Sequence, residues 1–479
     1  MKDIKQKKHI IKTLSKYISN TKTFCVLPWI HLATDNQGHY KLCCAAQFPI
    51  TTNNGYNTRH IHSTGKKVHT TVNPINEIWN NTYMKNVRKK MLNGEQIEAC
   101  QFCYKEEKQQ KLISYRERKN ITEILDEQRG DIIKQRVLDT LPDGSLKDLP
   151  YIIDLTIDSR CNLTCAMCTS SDSSGVETFI RTQIKNGNRN KFDDHTLHQF
   201  DTVNELPDDK KMWSEHQFFI DNIETLGPIM KELYATGGEP FLVKSLWKIY
   251  DKFIEKGYSK NIKLSYCSNL TAITKPQLDI INKFKQCTIS ASIDGYGDEY
   301  NFTRWPSTWE KIDFTVQNMI KNWVNEKNYL HFTYVYTILT IFSLPQFCNW
   351  ITFYTNKLIN KWEENGQTRI RCIPDTTLNQ ADRPDYLNIE YLHKEAIDYI
   401  INYLECNKKQ CNFIDIPKQT IKLETEYENI ITMLKNAKKK KNWKYKKDFL
   451  NFIEMREEYI GLKINDFLPK EFQRILYAG

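Results

Sequence analysis

A chain of 479 residues, 40% hydrophobic and 26% charged, is long enough for roughly three domains. Its 14 cysteines come without a secretory signal, so they read as metal ligands and free thiols rather than disulfides, and a cytoplasmic setting is expected. No apolar run is long enough to span a bilayer, no internal repeat is visible, and the formal charge of +10 is partly gathered in one lysine run near the C-terminus.

In chain order, residues 1–20 are Lys-rich and are expected to form a basic, solvated helix. Cys25 follows, then Pro28-Trp29, Gly38 and the pair Cys43-Cys44. After Trp79 and a basic helix over Met84–Leu92 comes Cys100-Gln-Phe-Cys103. Four thiolates, from Cys25, Cys43 or its neighbour Cys44, Cys100 and Cys103, would make a closed site for structural zinc or an iron–sulfur cluster. Mixed charge over Lys105–Arg136 predicts a long exposed helix linking this region to the next.

Runs rich in Ile, Val, Tyr and Thr predict strands at 151–157, 232–236, 261–267, 287–293, 330–339 and 368–373. Helix-like segments, such as Lys244–Lys256, Gln277–Lys285 and Thr308–Trp323, alternate with them, which is the pattern of βα units on a parallel sheet. Between the first two strands lies a long polar insertion. It opens with Thr169–Gly175 and runs through Asn186–Lys211, and it is read either as a substrate lid or as a passive surface loop. Lys435–Lys447 holds eight lysines around Trp443 and Tyr445 with no acid. Such a run can bind RNA, but the solvated-face reading is preferred. Phe449–Tyr459 and Ile464–Leu476 are expected as C-terminal helices.

Two motifs carry chemistry. Cys161, Cys165 and Cys168 follow the first strand in the spacing Cys-x3-Cys-x2-Cys. Three thiolates on one loop suit three corners of an iron–sulfur cube and leave a fourth iron open, although part of a zinc site has the same ligands. Ala235-Thr-Gly-Gly-Glu-Pro240 ends the second strand. Adjacent glycines there permit either a close ligand approach or an ordinary tight turn.

Together the two motifs resemble the radical S-adenosylmethionine superfamily. Ser268-Asn269, Ser290-Ala-Ser292-Ile-Asp294-Gly295 and Arg304, all at or beyond later strand ends, extend the resemblance. Met167 departs from it, standing where an aromatic residue is usual. The spacing Cys25-x12-Gly38-x4-Cys43 resembles the opening of the auxiliary-cluster domains called twitch and SPASM, here placed ahead of the barrel rather than after it.

The resemblance implies an α/β fold: a partial (β/α)6 barrel over 146–375. An N-terminal Cys-rich auxiliary-cluster domain over 21–110, a linker helix over 111–145 and a helical C-terminal extension over 376–479 would complete it. It implies an enzyme in which Cys161, Cys165 and Cys168 hold a [4Fe-4S] cluster that binds and reductively cleaves S-adenosylmethionine, and the 5′-deoxyadenosyl radical takes a substrate hydrogen. Gly237, Gly238, Glu239, Pro240, Ser268, Asn269, Ser292, Asp294 and Arg304 are the implied cofactor contacts. Cys25, Cys43, Cys100 and Cys103 are the implied ligands of a second, auxiliary [4Fe-4S] cluster. A flavodoxin or ferredoxin is the implied electron donor. Among substrates, oxidative modification of a peptide or protein is favoured over a sugar, a nucleotide or RNA. A non-catalytic zinc-binding protein is the reading from a different class.

Overall fold

The computed structural model describes residues 23–51, 67–109, 114–126, 129–205, 212–364, 375–381, 383–409, 411, 420–437 and 443–478. Eight strands form one sheet: β1 (His31–Thr34), β2 (Tyr40–Lys41), β3 (Ile152–Ile157), β4 (Glu232–Gly237), β5 (Lys263–Ser268), β6 (Gln286–Ser292), β7 (Asn328–Tyr336) and β8 (Asp375–Gln380). Their spatial order is β2-β1-β3-β4-β5-β6-β7-β8. Among the described strands, only the β1–β2 pair is antiparallel; every other neighbouring pair is parallel.

Side chains alternate across the sheet. Leu233, Ala235, Leu264, Tyr266, Cys287, Ile289, Ala291, Leu330, Phe332 and Tyr334 make a buried apolar face. Helices cover it: the Tyr266 hydroxyl donates to that of Tyr250 in helix Lys244–Glu255 at 2.7 Å. Further along the same face, Phe332 and Tyr334 meet Trp350 and Phe347 of helix Leu344–Glu364. The opposite face is polar and half-buried, with Thr156, Tyr234, Thr236, Cys267, Thr288, Ser290, Ser292, His331 and Thr333.

Five expected strands agree with β3 to β7 to within three residues at each end. The sixth expectation, 368–373, lies outside the described residues, and the last observed strand is β8. The basic helix expected over 1–20 and Lys438–Lys441 also lie outside them. The N-terminal cysteine region is joined to the sheet, because His31, Leu32 and Ala33 of β1 pair in parallel with Ile152, Ile153 and Asp154. Gly38, at φ +83°, makes the turn from β1 to β2; a Cβ there would meet His69 and Trp213 at 2.8 Å.

The long helix expected over Lys105–Arg136 is instead part of three: Gln101–Gln109, Tyr115–Ile124 and Arg129–Leu138. Ser114 restarts the chain as an N-cap, accepting from Glu117 N–H while the Glu117 carboxylate accepts from Ser114 N–H. The polar insertion is also largely helical, over Ser174–Lys185, Asp194–Asn204 and Gln217–Thr225. At the C-terminus, Pro469 limits the final helix to Lys470–Ala478, preceded by a short turn at Ile464–Asp466. Among the described residues, no helix is long and apolar enough to cross a membrane.

Candidate functional site

The cysteine loop leaves β3 at its C-terminal end, where parallel α/β sheets place their sites. Its backbone is tied on three sides. Toward the insertion, Ser173 Oγ donates to Leu163 O at 2.7 Å, Cys161 N–H donates to Ser174 Oγ at 3.1 Å, and Ser174 N–H donates to Ser159 O at 2.7 Å. Ser173 is also the N-cap of helix Ser174–Lys185. Toward the β6 connection, Thr164 N–H donates to Trp305 O at 2.8 Å and Ala166 N–H to Thr303 O at 2.9 Å.

The third tie is the Gly-Gly turn. Gly238 N–H donates to Asp158 O at 3.1 Å and Glu239 N–H to Arg160 O at 2.7 Å. A Cβ on Gly237, at φ +127°, would lie 1.8 Å from Ile157 O, and one on Gly238 would lie 2.1 Å from Arg160 O. These glycines are therefore required by the contact between the two motif loops.

Glu239 locks the arrangement from beneath. It is 1% exposed, and its carboxylate accepts from Ser268 Oγ at 2.8 Å, Asn269 N–H at 2.7 Å and Phe241 N–H at 3.2 Å. Burial raises its pKa despite those donors. Pro240 opens the short turn Pro240–Leu242. The Asn269 amide donates to Asn162 Oδ1 at 3.0 Å and reaches Cys161 Sγ at 3.8 Å. Leu270, next in the chain, is buried at φ +60°, a strained conformation for a side chain of this size.

Two buried arginines act on Cys165 and Cys168. Arg304 donates from Nε to Asp294 Oδ2 at 2.7 Å, and Asp294 Oδ1 accepts from Val335 N–H at 2.7 Å. Arg456 reaches in from helix Lys446–Ile460. Hydrogen bonding from Cys168, together with the positive charge of Arg304 and Arg456, holds the Cys165 thiol below its usual range even though burial opposes it. The same bond pushes Cys168 up, and burial pushes Cys161 to about 11. Ser292 faces Cys267 across the polar side of the sheet, Oγ to Sγ 3.4 Å.

The second candidate group lies in the N-terminal region. Cys25, Cys43, Cys100 and Cys103 lie within electrostatic reach of one another, and Arg116 acts on Cys25, Cys100 and Cys103. Burial pushes all four pKa values up, that of Cys25 to about 12, reinforced by neighbouring thiols at Cys25, Cys43 and Cys100 and by Glu106 and Glu107 at Cys103. Arg116 is held by Glu107 at 2.7 Å and donates to Phe24 O at 2.5 Å. Cys43 is 8% exposed and belongs to this group, whereas Cys44 is exposed and meets Tyr115 and Asp154 instead.

Both donor sets suit iron–sulfur chemistry, being soft thiols gathered on braced loops with buried arginines beside them. Among the described residues, no three His, Cys, Asp or Glu side chains close on a single metal-ion position. Sequence reasoning missed Ser173, Ser174, Arg160 and Arg456. Arg160 ties the loop to the insertion, donating to Asp158 at 2.8 Å, Glu215 at 2.9 Å and Ser214 at 2.9 Å. A signal for Arg456 does exist: Phe449, Phe452, Ile453 and Arg456 share one helix face, so a cation stands at a core position.

No protein-family model matches the chain, and no curated protein matches it. Among solved structures, TYW1 with a lysine-pyruvate adduct bound aligns over 55% of this chain and 76% of its own, at 13% identity and a TM-score of 0.26. Streptococcus suis SuiB aligns over 69% and 63%, at 14% identity and a TM-score of 0.29. SuiB bound to S-adenosylmethionine aligns over 73% and 66%, at 12% identity and 0.29. Scores this low establish no shared fold.

Proposed function

We propose that the chain is a radical S-adenosylmethionine enzyme, with its parallel strands forming the partial barrel of that superfamily. The observation that carries this reading is the interlock of the two motifs: the Gly-Gly-Glu turn is hydrogen-bonded to the backbone that presents Cys161, Cys165 and Cys168. A zinc loop has no need of such a partner. When bound, a [4Fe-4S] cluster supplies the electron that cleaves S-adenosylmethionine to a 5′-deoxyadenosyl radical.

The chain's own residues then have definite tasks. Cys161, Cys165 and Cys168 hold the cluster. Gly237 and Gly238 bring backbone close to the methionine end of the cofactor. Glu239 acts through Ser268 and Asn269, fixing the turn relative to β5. Asp294 and Arg304 brace the segment whose carbonyls accept from the cysteine loop. Ser292 lies on the polar face open to cofactor and substrate. Cys25, Cys43, Cys100 and Cys103 would hold a second cluster able to take an electron from a substrate radical, giving net oxidation.

The polar face also bears on substrate. Among the described residues it offers hydroxyl, amide and imidazole groups beside the carboxylates of Asp154 and Glu232, and of its lysines Lys263 is paired with Glu232 at 3.5 Å and Lys41 donates to Cys44 O at 3.3 Å. A phosphorylated nucleotide or RNA calls for cations to pair with phosphate. A peptide or protein substrate, read through neutral hydrogen bonds, fits this face better.

The test is anaerobic reconstitution with iron and sulfide, then assay of S-adenosylmethionine with dithionite for 5′-deoxyadenosine. About eight irons per chain are expected for two cubane clusters, with cleavage. Zinc without iron, and no cleavage, sinks the reading. About four irons with cleavage keeps the barrel and makes the N-terminal group a zinc site.

A further inference from the structure

Arg456 is 1% exposed, and its guanidinium donates only to backbone carbonyls. These are Thr164 O at 2.9 Å, Thr303 O at 3.2 Å, and Phe302 O at 2.6 Å from Nη2 and 3.2 Å from Nε. Among the described residues it meets no carboxylate, unlike Arg304 with Asp294, Arg116 with Glu107 and Arg160 with Asp158. The ionisable groups that act on it most are the thiols of Cys165 and Cys168 and the phenols of Tyr386 and Tyr459. A buried cation left without an anion is costly. Thr164 lies between Cys161 and Cys165, and Thr303 O also accepts from Ala166 N–H. The guanidinium thus pins both backbones that shape the loop and places a positive charge beside two of its thiols.

We propose that Arg456 is a positioning residue of the three-cysteine site, supplying the buried positive charge that holds an anionic iron–sulfur group there and raises the potential at which it accepts an electron. This inference rests on the functional reading above. It makes the C-terminal helix part of the redox site rather than a cap on the sheet. Removing the charge disfavours the more negative, reduced state, so the potential must fall. Arg88 supplies an internal control: it is fully buried and donates to Pro28 O, Trp79 O, Gly144 O and Asn80 Oδ1, and the ionisable group that acts on it is Arg136 rather than a thiol.

The experiment is a potentiometric titration of the full-length, anaerobically reconstituted protein, following the iron–sulfur EPR signal that changes when S-adenosylmethionine is added. Arg456→Gln is expected to lower the reduced-to-oxidised ratio at a fixed potential about tenfold, a shift of about 59 mV to more negative values for one electron. Arg456→Lys should stay within about threefold of wild type, about 28 mV on the same scale, and Arg88→Gln should not move the potential. A wild-type potential in Arg456→Gln overturns the proposal, as does an equal shift in Arg456→Lys. Should Arg456→Gln fail to fold, the neutral, unbranched Arg456→Met decides: a negative shift supports the proposal and an unmoved potential overturns it. A wild-type chain with no S-adenosylmethionine-sensitive signal sinks the functional reading and this inference with it. A normal wild-type signal with an unmoved Arg456→Gln sinks the inference alone.

Discussion

The two cysteine groups of this molecule are built on opposite plans. The three-cysteine loop is stitched to its surroundings through polar contacts, by Ser173, Ser174, the Gly-Gly turn and the Thr303–Trp305 carbonyls. The four-cysteine group is set in apolar packing, with Phe24, Trp29, Leu42 and Ala99 almost fully buried in the same core. Three thiols held by a hydrogen-bonded frame leave room for a ligand at the fourth corner. Four thiols drawn into a hydrophobic core do not. On the proposed reading, the difference would separate a site that reacts from one that stays closed.

The largest expected effect separates the two groups directly. Cys161→Ala should reduce 5′-deoxyadenosine formation to background, a loss of at least about 100-fold, and remove about four irons while sparing the N-terminal group. Metal analysis with a cleavage assay reads both. If Cys161→Ala emptied both sites together, the two groups would not be independent.

Next in size is Gly237→Ala. With its Cβ at 1.8 Å from Ile157 O, the turn must withdraw from the loop, at a cost of about 2–4 kcal/mol. Urea unfolding measures it, and a wild-type midpoint would contradict the close contact.

A finer contrast lies between neighbours. Cys43→Ser should lose metal from the N-terminal group, whereas Cys44→Ser should keep full occupancy, because Cys44 is turned to Tyr115 and Asp154. Equal losses would reverse the assignment.

The effect that is smallest per step is a pH dependence on the open side. Glu299, 5% exposed, accepts from Ser343 N–H at 3.1 Å, and burial pushes its pKa up to about 8. The folded state therefore holds a proton that the unfolded chain releases at an ordinary carboxylate pKa. Its stabilising contribution is complete below that value and is lost as pH rises toward about 8. Between those limits stability should fall by up to about 1.4 kcal/mol per pH unit. Glu299→Gln should flatten the slope in chemical denaturation at several pH values. Glu299 lies in helix Asp298–Thr303, just before the carbonyls that hold the cysteine loop, so the frame should slacken with it.

Much of this was legible in the amino-acid order. Strands β3 to β7 announce themselves by alternating β-branched and aromatic residues against polar ones, because one sheet face is buried. Both motifs lie at strand ends, as their spacing predicts. The four N-terminal cysteines were grouped by spacing and resemblance, with Cys43 favoured over Cys44, and that grouping stays a proposal. What escaped depends on partners distant in the chain. Ser173 and Ser174 read as loop residues because serine is common in loops, yet Val176, Phe179, Ile180 and Gln183 mark the buried face of the helix they begin. That spacing of i, i+3, i+4 and i+7 was available in the sequence. The contact of Arg456 with Thr164 spans 292 positions, and no local pattern encodes it. The pairing of β1 with β3 was missed for the same reason, since His31–Thr34 is short and its partner lies more than 100 residues away.

That short pairing has a practical consequence for anyone who trims the chain. Strand β1 occupies the flank of β3 that would otherwise present bare backbone donors and acceptors at the border of a parallel sheet. Bare flanks of this kind invite a strand from another molecule. A protein started after residue 145, with every motif of the three-cysteine site intact, would carry β3 unprotected into solution. It should self-associate before its chemistry could be assayed. The N-terminal cysteine segment is in this sense also a solubility device, guarding the strand that leads into the reactive loop.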